Sequence, residues 1–209
     1  MIAIIDYGSG NLRSVARAIE KAGLTPVITS DREDILNSHG VVLPGVGAFG
    51  DCMESLKSKG LDELVVKSIE MGKPFLGICL GYQILFEESE EHKDGEPDIK
   101  GLAVFKGKVK RFPSDLGLKI PHIGWNSLAF PKPSHFFEEL TKEPYFYFVH
   151  SYYVDAEDKS LVAAQANYGI TFDAAIAKDN ILAVQFHPEK SGDLGLTVIR
   201  NFLKVVKGS

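Results

Sequence analysis

Cys79 sits in the string Gly77-Ile78-Cys79-Leu80-Gly81, with a glycine two residues to either side. That spacing has the form of a nucleophile elbow. A strand turns sharply into a helix, the turn leaves no room for side chains at the flanking positions, and the central side chain is lifted into a crevice. A helix starting there aims its N-terminal N–H groups and positive dipole end at the sulfur, which favours the thiolate. A thiol nucleophile needs a base and a group that orients the base. His187 ends the apolar run Ile181 to Phe186 and is followed by Pro188 and Glu189. In an extended segment, residues two apart lie on the same side, so Glu189 can accept a hydrogen bond from the imidazole while Pro188 stiffens the backbone. Cys79, His187 and Glu189 form a candidate Cys-His-Glu triad of nucleophile, base and orienting acid, assembled by the fold rather than by nearness in sequence. His150 also follows an apolar run but has no acid within four residues. His39 and His92 lie in polar sequence and are expected to be exposed; His135, in a Pro-rich loop, carries no signal. Cys52 reads as a buried small hydrophobe. Pro44-Gly45-Val46-Gly47 lets backbone N–H groups turn toward a ligand, which suits an oxyanion hole.

The elements that must position these groups follow from periodicity. Ile2 to Ile5 reads as a buried strand, Asn11 to Ala22 as a one-sided helix stopped at Gly23, and Thr25 to Ile28 as a second strand. Ser30 and Glu33 stand in capping-box spacing before a short helix toward Asn37. A third strand, Val41 to Leu43, precedes a helical region from Asp51 to Glu70 that breaks near Gly60, and the cysteine strand Phe75 to Ile78 follows. Alternation of strand and helix predicts a parallel sheet with helices on both faces and the strand C-terminal ends along one edge, where open sheets hold their sites. The second half reads mostly as strands: Leu102 to Val109, Tyr145 to Val149, Leu161 to Ala166, Phe172 to Ala177 and Ile181 to Phe186. A hairpin turn at Lys178-Asp179-Asn180 joins the last two, and a helix from Asp193 to Val206 closes the chain. Glu87 to Asp98, with seven acids and one lysine, reads as a solvated loop. The predicted fold is therefore α/β, an open, mostly parallel sheet with a smaller, mainly antiparallel sheet region in the second half. With no linker or repeat, residues 1–209 read as one domain.

Composition excludes several classes. Hydrophobic residues make up 44% and charged residues 24% of the 209, the balance of a soluble globular protein. Net charge is −5, and no Lys/Arg cluster suggests a nucleic-acid surface. The N-terminal apolar run is too short for a signal peptide, and no run approaches the ~20 residues of a membrane helix. Two cysteines indicate neither a disulfide framework nor a Cys-based zinc site, so no metal is expected and the protein reads as cytoplasmic. Asp6-Tyr7-Gly8-Ser9-Gly10-Asn11 fails as a dinucleotide fingerprint because Arg13 occupies the third glycine position; it reads as a turn capping the next helix, and no cofactor is expected.

Gly-Ile-Cys-Leu-Gly-Tyr-Gln together with His-Pro-Glu resembles the class I, triad-type glutamine amidotransferases. Six further strings narrow the resemblance: Asp-Tyr-Gly-Ser-Gly-Asn-Leu-Arg-Ser-Val (6–15), Leu-Pro-Gly-Val-Gly-Ala-Phe (43–49), Leu-Phe-Glu-Glu-Ser-Glu-Glu (85–91), Pro-His-Ile-Gly-Trp-Asn (121–126), Tyr-Phe-Val-His-Ser-Tyr (147–152) and Gln-Phe-His-Pro-Glu-Lys-Ser (185–191). Jointly they resemble the glutaminase subunits of imidazole glycerol phosphate synthases, in histidine biosynthesis. The resemblance implies hydrolysis of L-glutamine through a thioester on Cys79, with His187 as base and Glu189 orienting it. Oxyanion donors would be the backbone N–H groups of Val46 or Gly47 and of Leu80. It implies that Gln83, Glu91 and the segment His150, Ser151 and Tyr152 hold the amino-acid head group. It also implies a heterodimer with a (β/α)8-barrel synthase subunit that receives the ammonia, with His122, Trp125, Asn126 and Lys190 near the interface and Gly45 to Gly47 as a switch. The alternatives are an amidotransferase subunit serving pyridoxal phosphate synthesis and a stand-alone Cys γ-glutamyl hydrolase. The 43–49 and 121–126 strings argue against the first; robust turnover by the isolated chain would mark the second.

Overall fold

The computed structural model describes residues 1–92 and 97–208. The first half alternates as expected: β1 (Ile2–Ile5), α1 (Leu12–Lys21), β2 (Pro26–Thr29), α2 (Arg32–Asn37), β3 (Gly40–Gly45), α3 (Phe49–Ser58), α4 (Leu61–Glu70), β4 (Phe75–Cys79) and the single turn α5 (Leu80–Gln83). Strands dominate after it: β5 (Phe86–Ser89), β6 (Ile99–Lys100), β7 (Phe105–Arg111), β8 (His122–Ser127), β9 (Tyr145–His150), β10 (Tyr152–Ala156), β11 (Val162–Tyr168), β12 (Ile170–Lys178) and β13 (Ile181–Val184), before α6 (Gly192–Gly208).

One sheet runs through the molecule in the order β2-β1-β3-β4-β13-β12-β10-β7-β5-β6, with β11 on β12; β8 and β9 form a separate two-stranded ribbon. Strands β2, β1, β3, β4 and β13 are parallel neighbours. β13 is parallel to β4 and antiparallel to β12, so the antiparallel region continues the parallel one. Successive residues of β1 alternate between two cores. Ile2 and Ile4 join Val15 and Ile19 of α1 and Val198, Ile199 and Phe202 of α6. Ala3 and Ile5 join Ile35 of α2, Leu56 of α3 and Leu64 and Val65 of α4 on the other face. A strand buried on both sides has no polar face to show, which is why these strands read as unbroken apolar runs.

Several local readings need correction. The cap of α2 is Asp31, whose Oδ1 accepts from the N–H groups of Glu33 and Asp34 at 2.8 and 3.0 Å; Ser30 lies one residue too far out. Asn11 occupies the N-cap position of α1 without a side-chain cap bond. The acidic stretch is not wholly loop: Phe86 and Ser89 are buried within β5, and Glu88 pairs with Lys100 at 2.5 Å across the strands. Residues 93–96 of that stretch lie outside the described residues. The strand expected from Leu102 starts at Phe105. The N–H groups of Leu102, Ala103 and Val104 are spent on the carbonyls of Ile84, Phe86 and Leu85, closing the chain behind α5. The break at Gly60 is real, with φ +64 between α3 and α4.

Candidate active site

Register brings the sheet's working ends together. Gly45 at the end of β3 pairs with Cys79 at the end of β4, and Val184 of β13 pairs with Ile78. All three strands are parallel, so Gly45, Cys79 and the residues after Val184 emerge along one edge. Cys79 has φ +54 and ψ −108, a conformation that a non-glycine residue adopts only when its surroundings impose it. The imposition is visible. A Cβ on Gly77 would lie 2.7 Å from the Gly81 carbonyl oxygen, one on Gly81 would lie 1.9 Å from that of Leu43, and one on Gly45 would lie 2.7 Å from Gly81 N. The helix expected to point its dipole at the sulfur is a single turn, so little macrodipole accumulates.

His187 and Glu189 meet as their spacing suggested: Nδ1 of the imidazole lies 2.8 Å from Glu189 Oε1, both side chains buried. Their segment is stapled to β9. The His187 N–H donates to Tyr147 O at 2.9 Å, Tyr147 N–H donates to Ser191 Oγ at 3.0 Å, and that hydroxyl donates to His187 O at 2.6 Å. Among the described residues His187 Nε2 meets no nitrogen or oxygen partner, and it shares a cavity with Cys79. Burial pushes the imidazole's pKa down, but Cys79 and Glu189 beside it outweigh burial and raise it to about 9. The result is an imidazole with one nitrogen oriented by a carboxylate and the other in the cavity that holds Cys79, an arrangement suited to acyl transfer.

The cavity has a volume of about 390 Å³. Besides Cys79 and His187 it is lined by Val46, Gly47, Leu80, Gln83, Glu91, His150, Ser151 and Tyr152, which are all the residues expected to form the oxyanion hole and hold the substrate; Pro121 and Val149 complete it. Glu189 stands behind His187. Ser9 Oγ donates to Val46 O at 3.4 Å, so in the trans 46–47 peptide the Gly47 N–H points away from Ser9. Glu91 Oε2 accepts from Phe49 N–H at 2.8 Å, capping α3 from outside its own sequence. Burial raises the Glu91 pKa, with the Phe49 bond opposing and Asp51 adding to the rise.

A hydrogen-bond chain runs behind the cavity, and the Tyr152 carbonyl orders it. A carbonyl only accepts. His150 Nδ1, 2.7 Å away, must therefore donate to it. His150 Nε2 then accepts from His122 Nδ1 at 2.9 Å, and His122 Nε2 accepts from Asn126 Nδ2 at 3.4 Å. Burial drops the pKa of His122 to about 4 and of His150 to about 3, so both are neutral at pH 7, as this chain requires. On its other side Tyr152 O accepts from Gln83 Nε2 at 3.0 Å; Gln83 Nε2 also donates to Gln185 Oε1 at 2.9 Å, and Gln185 Nε2 donates to Cys79 Sγ at 3.6 Å. Gln185 was not singled out from the sequence. The signal was there: an amide at the end of a wholly buried strand, two residues before His187 and so on the same side. Ser191, expected with Lys190 near the interface, is the staple.

The residues expected at an interface divide. Trp125, 56% exposed, and Lys190 are on the surface, with Lys190 Nζ 5.8 Å over the Tyr147 ring. Asn126 is half-buried and bonded to Asn167 O and His122. His122 is only 3% exposed, stacked between Tyr168 and Phe148, so its side chain lies inside rather than on the outer face of the ribbon. The alternation of β8 is the reason: His122, Gly124 and Asn126 face inward while Ile123 and Trp125 face out. His39 is exposed as expected, whereas His92 is half-buried against Asp98 at 3.0 Å.

The model of the family "Glutamine amidotransferase class-I" matches residues 3–206. A chain from Syntrophotalea carbinolica, "Imidazole glycerol phosphate synthase subunit HisH", is 49% identical over 97% of this chain and 98% of its own length. One of the same description from Thermosynechococcus vestitus is 52% identical over 99% and 97%. Among solved structures, a crystal structure of a glutamine amidotransferase superposes with a TM-score of 0.74 at 21% identity, covering 99% of this chain and 98% of that one. The structure of PurLQS from Thermotoga maritima gives 0.74 at 20% identity, covering 97% of each chain, a likeness of fold.

Proposed function

Because the chain belongs to the class-I glutamine amidotransferase family, we infer that it is the glutaminase subunit of an imidazole glycerol phosphate synthase. The observation that carries this is 49–52% identity, along almost the whole chain, to relatives of that description. The site supports the chemistry. L-Glutamine enters with its amide carbon beside Cys79 Sγ. Gln83 spends both amide N–H groups on Tyr152 O and Gln185, so it offers the substrate its Oε1; with Glu91 this gives two acceptors for an α-ammonium. Within the Cys79–His187 pair the proton is held on His187 Nε2, whose hold on it is raised, and the sulfur attacks. The oxyanion is received by the N–H groups of Leu80 and of Gly47 or Val46. The His187 imidazolium then protonates the departing nitrogen, releasing ammonia and leaving a γ-glutamyl thioester. His187 next takes a proton from water as it attacks, and collapse returns glutamate and the thiolate. Glu189 holds the imidazole in the tautomer these steps need.

The partner is a synthase subunit, which we take to be a (β/α)8 barrel forming a heterodimer with this chain. It receives the ammonia and makes imidazole glycerol phosphate and aminoimidazole carboxamide ribotide. The outer face of the β8–β9 ribbon supports a docking role: Ile123, Trp125 and Tyr145 are 59%, 56% and 53% exposed there, beside the cavity mouth at Pro121 and Val149. We place the chain in the cytoplasm as a single domain, 1–209; among the described residues no helix is long and apolar enough to cross a membrane.

The test is Cys79→Ala in the reconstituted complex. Glutamine-dependent synthesis is lost while synthesis from added ammonium salt persists. Loss of both in a well-formed complex contradicts the division of labour. Strong turnover by the isolated wild-type chain, unchanged by the synthase and its nucleotide ligand, would point to a stand-alone hydrolase.

A further inference from the structure

Gln185 is completely buried, and its side-chain amide meets Gln83 and Cys79. Its backbone N–H is tied to Ala174 O at 2.8 Å, which fixes the start of the side chain. Its amide orientation follows by elimination. Tyr152 O can only accept, so the Gln83 atom facing it is the nitrogen; that nitrogen also faces Gln185 at 2.9 Å, so the Gln185 atom there is the oxygen. The Gln185 NH₂ is left pointing at Cys79 Sγ, 3.6 Å away. Rotating the amide by half a turn would set two NH₂ groups against each other and a carbonyl oxygen against the sulfur. Val149 O, 4.0 Å from the sulfur, accepts from the S–H and cannot stabilise a thiolate.

We propose that Gln185 is a further catalytic residue, a pre-oriented amide donor to the Cys79 thiolate. The proposal rests on Cys79 being the nucleophile. The amide takes no proton. It stabilises negative charge on sulfur when the thiol proton has gone to His187, and again when the thiolate leaves the thioester. His187 performs the transfer, and Gln185 favours its product without competing for the proton. The donor costs no reorganisation, because Gln83 and Tyr152 hold it before substrate arrives. An apolar residue of the same size would fill the space but leave a Gln83 N–H unpaired and the sulfur without a neutral donor.

The experiment uses the full chain carrying Cys52→Ala, so that Cys79 is the only thiol. The rate of alkylation by iodoacetamide is measured against pH for Gln185, Q185M and Q185E. Q185M removes donor and acceptor; Q185E keeps an oxygen for Gln83 but turns an acceptor to the sulfur, and preserves the test if Q185M folds poorly. Circular dichroism and thermal melting establish folding. The alkylation midpoint is expected to move to higher pH in both variants, with the rate at pH 7 falling about tenfold, the effect of one hydrogen bond to a charged group. In complex with the synthase, kcat for glutamine falls similarly while KM stays within about twofold. Coincident alkylation profiles for the folded Q185E protein and the parent would overturn the proposal. Alkylation needs no glutamine, so its result stands apart from the functional reading, which fails if the parent complex turns over no glutamine.

Discussion

His187 experiences opposed influences: burial disfavours its charge, while Cys79 and Glu189 favour it and prevail, raising it to about 9. A pKa raised in the folded state means that the folded protein holds the proton more tightly than the unfolded chain. This contribution to stability is fully present below the ordinary histidine value of 6.5 and is lost as pH rises through about 9. His187→Gln should therefore flatten the melting temperature between pH 6.5 and 9, where the parent declines; parallel declines in both proteins would refute the assignment. On activity, His187→Ala is expected to lower glutamine turnover by about 10³-fold or more, the scale of general acid–base catalysis. Glu189→Gln, which keeps a group able to meet Nδ1, should cost less; steady-state kinetics on the complex decides, and equal losses in folded proteins would deny Glu189 an orienting role. The candidate triad was legible because glycine frames the cysteine and a carboxylate follows the histidine at extended spacing. Gln185 was hidden because a single amide in an apolar strand acquires its meaning only from Gln83 and Tyr152, which other strands supply. The burial of His122, expected near the interface, was hidden because its orientation depends on the pairing of β8 with β9.

The elbow is an arrangement of β3, β4 and α5 in which three glycines make room for backbone, each for a different contact. Gly81→Ala would put a Cβ 1.9 Å from the Leu43 carbonyl, and rigid strand cannot yield that distance. Gly208, late in α6, has open space around it. Chemical denaturation should find Gly81→Ala destabilised by several kcal/mol or unfolded, and Gly208→Ala within about 0.5 kcal/mol of the parent. Similar midpoints for the two would mean the elbow is softer than its contacts imply. Two-sided burial made β1, β3, β4 and β13 readable as apolar runs. By contrast β8, with its glycine and asparagine, and β10, with its aspartate, are strands because of what they pair with. The acids of β5 misled for the same reason: the sheet sets Lys100 and Lys108 against Glu88, and Glu87 accepts from the Gly107 N–H.

At the scale of the molecule, the parallel half positions Cys79, and the strands of the second half furnish the cavity wall at 150–152 and the staple that holds His187. The β8–β9 ribbon presents its aromatic face outward from that wall. Trp125→Ala is expected to weaken binding of the synthase by tenfold or more, as for a central aromatic anchor, while leaving the melting temperature of the isolated chain nearly unchanged. Isothermal titration calorimetry measures the first and thermal melting the second. Undiminished affinity would move the interface elsewhere. The parallel order of the first strands was legible from alternation. The continuation through β13 was not, because the direction of a strand relative to a distant neighbour leaves no mark on its own residues.

That continuation has a consequence for the newly made chain. Strand β4 and its cysteine leave the ribosome well before β13, since Gln185 lies 106 residues beyond Cys79. At 5–20 residues per second, the interval is roughly 5 to 20 s. Throughout it, β4 has an open edge of Phe75, Leu76 and Ile78, and its cysteine has neither His187 nor Gln185 beside it. The nascent protein passes through an adhesive but chemically idle stage. Arrival of β13 covers the edge and arms the sulfur in one event.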